Sequence, residues 1–220
     1  MNLNRIWMPL LAAGALIASP AGAQANAKDV VARAARAYGD LSSLTADFEQ
    51  RIEDSLIGTF DSRGNLVQAG QNRLAMRFND PAGDAIVIDG RQVWVYTPST
   101  APGQVIRMPL PSGPVYGFNV LSWILDKPAE RYRMRYVRAD RVAGRVVDVV
   151  ELIPITAELP FSRALVWLDR EDHLPRRLEI TERRGGTRTI TLSRVRTNET
   201  IAPKAFAFDV PRGVRIVDQR

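Results

Sequence analysis

Most of the chain alternates apolar and polar residues with a period of two, which is the pattern of half-buried β-strands. The stretch RLAMRF, for example, places Leu74, Met76 and Phe78 on one side of a strand and Arg73 and Arg77 on the other. Short connections, several of which contain glycine, separate the alternating stretches. Many strands joined by hairpin-like turns predict an antiparallel sheet or barrel.

The segment IVIDGRQVWVY is unusual because both of its faces are apolar. Its Asp89-Gly90 pair predicts a hairpin turn, and Ile86 and Val87 then point to opposite faces of the first strand. An antiparallel sheet usually keeps one face in water. A strongly curled sheet with helices inside its concave face would account for the pattern. The interior would be either a filled core, which patterning alone favours, or a site for an apolar ligand.

Two segments depart from the alternation and show the spacing of amphipathic helices. The first is NAKDVVARAARAYGDLSSL, and the second is the short, very apolar NVLSWILDKPAE, which Pro128 is expected to end. Their apolar positions are Val30, Ala34, Ala37 and Leu41 in the first segment and Val120, Leu121, Ile124 and Leu125 in the second. We predict a mainly β chain (α+β) of about ten or eleven strands with these helices on the concave face.

The N-terminal residues 1–23 have the features of a secretory signal peptide. One basic residue, Arg5, precedes an apolar run too short to span a bilayer, and the small residues AGA form a cleavage site. A disordered or membrane-anchored start is the alternative. We expect export to the periplasm. No linker, repeat or shift in composition divides residues 24–220, so we expect them to form a single domain.

Composition limits the possible partners. The chain has 220 residues, a formal net charge of +6 and no cysteine, so an exported form would depend on its hydrophobic core without disulfides. A basic chain suits an acidic protein, an anionic membrane surface or nucleic acid, and nucleic acid is not expected for an exported protein. The arginines within residues 131–138 form either a basic patch or an ordinary solvated sheet face.

The sequence offers little catalytic chemistry. His173 is the single histidine and lies in a polar turn, and the acidic pairs Glu53-Asp54 and Glu171-Asp172 are expected to be solvated. No serine lies in a nucleophile-elbow context, and no glycine-rich phosphate loop precedes a helix. We therefore predict no enzyme activity, no catalytic residue, no metal and no cofactor.

Several short motifs follow one another in a fixed order along the predicted domain. They comprise Phe48 and Gln50 in ADFEQ, then Pro81, Asp89, Gly90, Trp94, Tyr96 and Pro98, and finally Phe206, Phe208, Pro211, Gly213 and Val214. Each motif alone is weakly specific. Together, on a cysteine-free chain with an export signal, they resemble the LolA family of periplasmic outer-membrane lipoprotein carriers.

The resemblance implies an incomplete antiparallel β-barrel whose mouth is covered by helices. It also implies a carrier that takes acylated lipoproteins from an inner-membrane ABC transporter to an outer-membrane acceptor. That acceptor shares the fold but has a lipidated cysteine, so the absence of cysteine favours the carrier. We expect a monomer. The alternative is a lipid- or glycolipid-binding sensor or transport protein of related fold.

The expected lipid-binding cavity combines both helices with one face of the sheet. We assign to it Val30, Ala34, Phe48, Leu74, Met76, Phe78, Trp94, Leu121, Ile124 and Leu125. The family's usual arginine, which is linked to helix closure, falls near Gly70 in this chain. Arg73 lies three residues later and is the candidate to close the helices in its place.

Overall fold

One large sheet accounts for the architecture of the chain. The computed structural model describes residues 26–56, 58–110, 119–157 and 159–219. Within these ranges, twelve strands form a single open sheet in the order β12-β6-β5-β4-β3-β2-β1-β11-β10-β9-β8-β7. They are β1 (Ser43–Asp54), β2 (Gly58–Ala69), β3 (Arg73–Asp80), β4 (Ala82–Ile88), β5 (Gln92–Tyr96), β6 (Gln104–Pro109), β7 (Tyr132–Val142), β8 (Arg145–Pro154), β9 (Phe161–Asp169), β10 (Pro175–Glu182), β11 (Thr187–Thr197) and β12 (Arg215–Asp218).

The predicted α+β class and antiparallel sheet are confirmed, and the described residues form more strands than expected. All pairs are antiparallel except β12 with β6, and β7 and β12 are the two free edges, so the barrel is incomplete. Strand β2 escaped prediction because its middle is polar and contains Gly64. A Cβ at Gly64 would collide with the carbonyl oxygen of Arg77 on β3, so glycine is required where these strands approach most closely.

Three short helices accompany the sheet in the described ranges. Helix α1 spans Ala27–Gly39, and the Asn26 side chain caps it by accepting a hydrogen bond from the backbone of Lys28 at 3.0 Å. Helix α2 spans Val120–Leu125 and α3 spans Pro128–Arg131. Pro128 therefore begins α3 rather than ending α2, because proline is well tolerated in the first turn of a helix.

The main hydrophobic core lies between the helices and the concave face of the sheet. On α1 the buried residues Val30, Val31, Ala34 and Tyr38 recur at helical spacing. They belong to one continuous cluster with α2 and with the inward-facing residues of the strands, including Phe48. The helices thus bury the face that the alternating pattern made apolar.

A second apolar cluster explains why the segment that forms β4 and β5 is apolar on both faces. On the convex side, Ala75 and Val87 are buried against Phe206, with Trp94 and Phe208 packed alongside. Phe206 ends a 3₁₀ turn, Pro203–Phe206, in the C-terminal segment that follows β11. That segment therefore covers the convex face of the same strands whose concave face the helices cover.

The predicted signal peptide, residues 1–23, lies outside the described residues. Within the described part of the chain, no helix combines the length and apolar character needed to cross a bilayer. A single sheet contains strands from Ser43–Asp54 to Arg215–Asp218.

Phe206 should be the residue on which attachment of the C-terminal segment depends. Its side chain is only 3% exposed, so Phe206→Ala should lower the free energy of unfolding by about 3 kcal/mol through lost burial and a residual cavity. Urea denaturation followed by tryptophan fluorescence measures this change. Ile216→Ala, at a residue 39% exposed on β12, is the control and should cost less than about 1 kcal/mol. Equal effects of the two changes would contradict this role.

Candidate functional site

The concave face gathers almost all the residues predicted to bind lipid. Val30 and Ala34 of α1 pack in one buried cluster with the α2 residues and with the inward side of β1 and β3. Phe78 is partly buried against the same cluster, and its ring meets that of Phe48 edge-on at 5.1 Å between centroids. The residues found together here are Val30, Ala34, Phe48, Leu74, Met76, Phe78, Leu121, Ile124 and Leu125.

Trp94 is not part of this concave cluster, so its assignment to the cavity was wrong. Its indole packs on the convex side, stacked on Phe208 with centroids 5.5 Å apart, and its Nε1 donates to Asp89 Oδ2 at 3.0 Å. The strand period explains the error, because Val93 on β5 points into the core and its neighbour must point away. Sequence alone did not indicate which apolar face of this hairpin the helices cover.

Arg73 likewise lies on the convex side, which contradicts its predicted role in closing the helices. Its guanidinium stacks over the ring of Phe206, with Cζ 5.3 Å from the ring centroid. Arg77, on the same face of the strand, donates to the backbone carbonyl of Ala207 at 2.9 Å. Both arginines therefore hold the C-terminal segment, on the opposite side of the sheet from the helices.

The polar contacts that attach the helices to the sheet centre on Tyr38 at the end of α1. Its hydroxyl donates to Gln68 Oε1 of β2 at 2.6 Å. Asn119 Oδ1 lies 3.4 Å from the Tyr38 hydroxyl oxygen. Gln68 Nε2 in turn donates to the carbonyl of Gly70 at 2.9 Å, which fixes the orientation of its amide. Burial raises the pKa of Tyr38 well above its usual range. The phenol therefore stays protonated and able to donate.

This buried polar cluster of Tyr38, Gln68 and Asn119 was not identified from the sequence. Tyr38 continues the buried stripe of α1 four residues after Ala34. A hydroxyl group at a buried position of the helix needs a hydrogen-bond partner, and this could have indicated the cluster from the sequence. Gln68 is the polar residue after Leu66 on the inward side of β2, and it was missed because β2 itself was missed.

A group of aromatic rings packs around Trp123 in the second half of α2. Trp123 meets Phe161 of β9 edge-on with centroids 5.0 Å apart, and Tyr132 of β7 lies 6.1 Å from the same ring. Arg131 covers the outer side of Trp123, with Cζ 5.2 Å from its ring, and forms an ion pair with Asp126 at 3.4 Å. The Tyr132 hydroxyl is buried without a hydrogen-bond partner among the described residues. Burial raises the pKa of Tyr132 to about 12, with a smaller opposing effect of Arg131.

Comparison with known proteins agrees with this architecture. The family described as outer membrane lipoprotein carrier protein LolA matches residues 39–209. The chain belongs to the LolA family. An outer-membrane lipoprotein carrier protein of Alkalilimnicola ehrlichii is 26% identical over 187 residues, covering 84% of this chain and 81% of that protein. One of the same name from Pseudomonas fluorescens is 24% identical over 222 residues and covers 100% of both chains.

Solved structures share the fold at low identity. An uncharacterized conserved protein from Thermus thermophilus superposes with a TM-score of 0.56 at 11% sequence identity, covering 88% of this chain and 99% of that one. This likeness supports the curled sheet with its accompanying helices.

Several arginines on the outer face of β7 to β9 in this LolA-family chain are paired with carboxylates. Glu151 of β8 accepts from Arg135 at 2.9 Å and from Arg163 at 2.7 Å. Hydrogen bonds from these two guanidinium groups lower the pKa of the Glu151 carboxyl below its usual range despite partial burial. Arg138 similarly pairs with Asp140 at 2.9 Å. These contacts favour the interpretation of Arg135 and Arg138 as part of an ordinary solvated sheet face.

The acidic turn residues Glu171 and Asp172, which were expected to be solvated, have ion-pair partners. Glu171 pairs with Arg145 at 3.0 Å, and Asp172 pairs with Arg176 and accepts from the backbone of Leu174 at 2.9 Å. In the part of the chain that the structure describes, no group of three acidic or histidine side chains is arranged to hold a metal ion. The concave apolar cluster, rather than any of these turns, is the candidate functional site.

Tyr38 should determine how firmly the helices are held. In Tyr38→Phe, Gln68 loses its donor while remaining buried, so we expect a loss of about 1–2 kcal/mol of unfolding free energy. Backbone amides of α1 and α2 should exchange faster with solvent deuterium, as measured by hydrogen-exchange mass spectrometry. Arg73→Ala is the control, because that side chain contacts the convex face. Faster helix exchange in Arg73→Ala than in Tyr38→Phe would overturn this assignment.

Proposed function

We propose that this chain binds the acyl chains of lipoproteins on its concave apolar face and carries them through the periplasm. The carrier takes its cargo from an inner-membrane ABC transporter and delivers it to an outer-membrane acceptor, without catalysis or a cofactor. Its predicted signal peptide, residues 1–23, would direct it to that compartment. Membership of the LolA family supports this role, and the observation that carries it is the continuous apolar cluster between helices and sheet.

The physical task is to keep a long hydrocarbon chain out of water. Burial of each methylene gains about 0.8 kcal/mol, so one chain of about sixteen carbons gains on the order of 10 kcal/mol before any cost. In the closed structure α1 and α2 occupy the apolar face themselves, with Ala34 0% and Ile124 1% exposed. Cargo must therefore displace helix contacts, and this competition moderates the net affinity. A moderate affinity is what transfer to an acceptor requires.

The contacts of the helices suit them to be displaced. Helix α2 has only six residues and α1 has thirteen, and they adhere to the sheet chiefly through aliphatic and aromatic side chains. The hydrogen bond from Tyr38 to Gln68 of β2 is the principal polar contact between α1 and the concave face of the sheet. Apolar contacts are not directional, so an acyl chain can replace them without leaving buried polar groups unpaired.

A charge on α2 should prevent cargo binding. Leu121 is 9% exposed within the concave cluster, so Leu121→Asp should reduce uptake of a fluorescently labelled palmitoylated peptide by at least about tenfold, because a carboxylate is costly beside an acyl chain. Ile153→Asp, at a β8 residue 38% exposed, is the matched control and should bind normally. Circular dichroism checks that both variants keep the sheet. Normal uptake by a folded Leu121→Asp protein would remove α2 from the site.

Weakening the helix attachment should strengthen cargo binding. If Tyr38→Phe destabilises the closed state by about 1 kcal/mol, the open fraction and the apparent affinity for the same peptide both rise about fivefold. Transfer of the peptide to an acceptor should slow correspondingly. The measurements are equilibrium titration and a transfer assay with wild type and Arg73→Ala as references. Weaker binding by Tyr38→Phe would show that the tyrosine supports the bound form instead.

Native mass spectrometry of the protein purified from the periplasm tests the function directly. We expect a fraction of molecules to carry an added mass that equals an acylated lipoprotein. The Leu121→Asp protein, prepared in the same way, should lack it. Wild-type protein free of lipoprotein, or carrying a glycolipid in its place, would contradict the proposal.

A further inference from the structure

Two buried hydrogen-bond donors inside the concave core have no acceptor among the residues that the structure describes. They are the hydroxyl of Tyr132, on a residue 3% exposed, and Nδ2 of Asn119, on a residue 5% exposed. Buried polar groups in proteins are nearly always paired, and a buried donor without a partner costs about 1–3 kcal/mol. Asn119 is the N-cap of α2, and Tyr132, which begins β7 after α3, lies against the same Phe161 ring as Trp123 of α2.

The orientation of the Asn119 amide is set by its neighbours. Its Oδ1 accepts from the backbone N–H of Ser122 at 3.2 Å, as an N-cap does. The single hydroxyl hydrogen of Tyr38 points to Gln68 at 2.6 Å, so Tyr38 adds only the longer 3.4 Å contact with Oδ1. A flipped amide would place two donors against each other at Ser122. Nδ2 is therefore the atom that remains as an unused donor.

The Tyr132 hydroxyl is unpaired for a different reason. The residue is surrounded by the apolar end of the core, where Phe161 is 0% and Trp123 4% exposed. Tyr136, on the same strand, shows the usual arrangement, because its hydroxyl donates to Asp148 at 3.0 Å. Burial raises the pKa of Tyr132 to about 12, so its side chain remains a protonated phenol that can donate a hydrogen bond.

We propose that Asn119 Nδ2 and the Tyr132 hydroxyl donate hydrogen bonds to the carbonyl oxygens by which acyl chains are linked to the cargo. This assignment rests on the proposed function and specifies it further, because it distinguishes acyl esters and amides from plain hydrocarbon. A carbonyl oxygen that enters an apolar interior needs a donor, and these two donors need an acceptor. In the closed structure each unpaired donor is a free-energy cost that an acceptor on the cargo would remove.

The test compares two synthetic lipopeptides that differ only at the chain linkage. One carries two palmitoyl esters, and the other carries ether linkages of the same length, which lack the carbonyl oxygens. Wild-type protein should bind the ester form about three- to tenfold more tightly, as expected for recovered buried hydrogen bonds. Tyr132→Phe should lose about threefold or more of the affinity for the ester form and leave that for the ether form unchanged.

Tyr136→Phe is the matched control for the loss of a hydroxyl from the same strand. It should leave the ester preference intact and lower the unfolding midpoint through loss of its bond to Asp148. Tyr132→Phe should keep or raise the midpoint, because it removes an unpaired group. Equal wild-type affinity for both lipopeptides, or an equal loss for both in Tyr132→Phe, would overturn the inference while leaving acyl binding in place. Failure of both lipopeptides to bind would overturn the proposed function and this inference together.

Discussion

The structure depends on burying both faces of strands that are apolar on both sides. A hairpin such as β4–β5, with Val87 at 0% exposed on one face and Ile88 at 2% on the other, has no surface that suits water. The helices cover the concave side and the C-terminal segment covers the convex side. The sheet must stay open and curled to accommodate the helices, and the chain must return across the outside after β11 to complete the second cover.

The two covers differ in how they are held. The convex cover combines ring stacking with cationic and backbone contacts, in which Arg73 stacks on Phe206 and Arg77 binds the carbonyl of Ala207. Such contacts are directional and are lost together if the segment moves. The concave cover relies mainly on apolar packing, supplemented by the polar cluster of Tyr38, Gln68 and Asn119. Of the two, the concave cover is the one whose contacts a hydrocarbon chain can replace, and this asymmetry separates the stable side of the molecule from the side proposed to bind cargo.

The polar groups near α2 would make the concave site selective for ligands that carry hydrogen-bond acceptors. A core made only of aliphatic side chains would take any hydrocarbon of suitable size. Asn119 at the start of α2 and Tyr132 at the start of β7 add donors that find no acceptor in the described part of the chain, so the closed state is less stable than its apolar area alone would make it. On the outer face of β7 and β8, by contrast, guanidinium groups and carboxylates such as Arg135 and Glu151 satisfy each other. These two donors are the groups proposed to bind the acyl carbonyl oxygens of the cargo.

The class of the fold could be predicted from the amino-acid sequence, because period-two alternation over most of the chain and two apolar helical segments permit few other arrangements. It also indicated that Leu74 and Met76 of β3 share a buried face, since they alternate with Arg73 and Arg77, which are exposed. The positions of Trp94 and Arg73 on the convex face of the sheet, in contrast, could not be predicted from the sequence. Local alternation shows that two faces differ, but it does not show which distant segment covers each face. Tyr38 and Gln68 come from positions 30 residues apart, and their hydrogen bond exists because the curl of the sheet brings β2 under the end of α1.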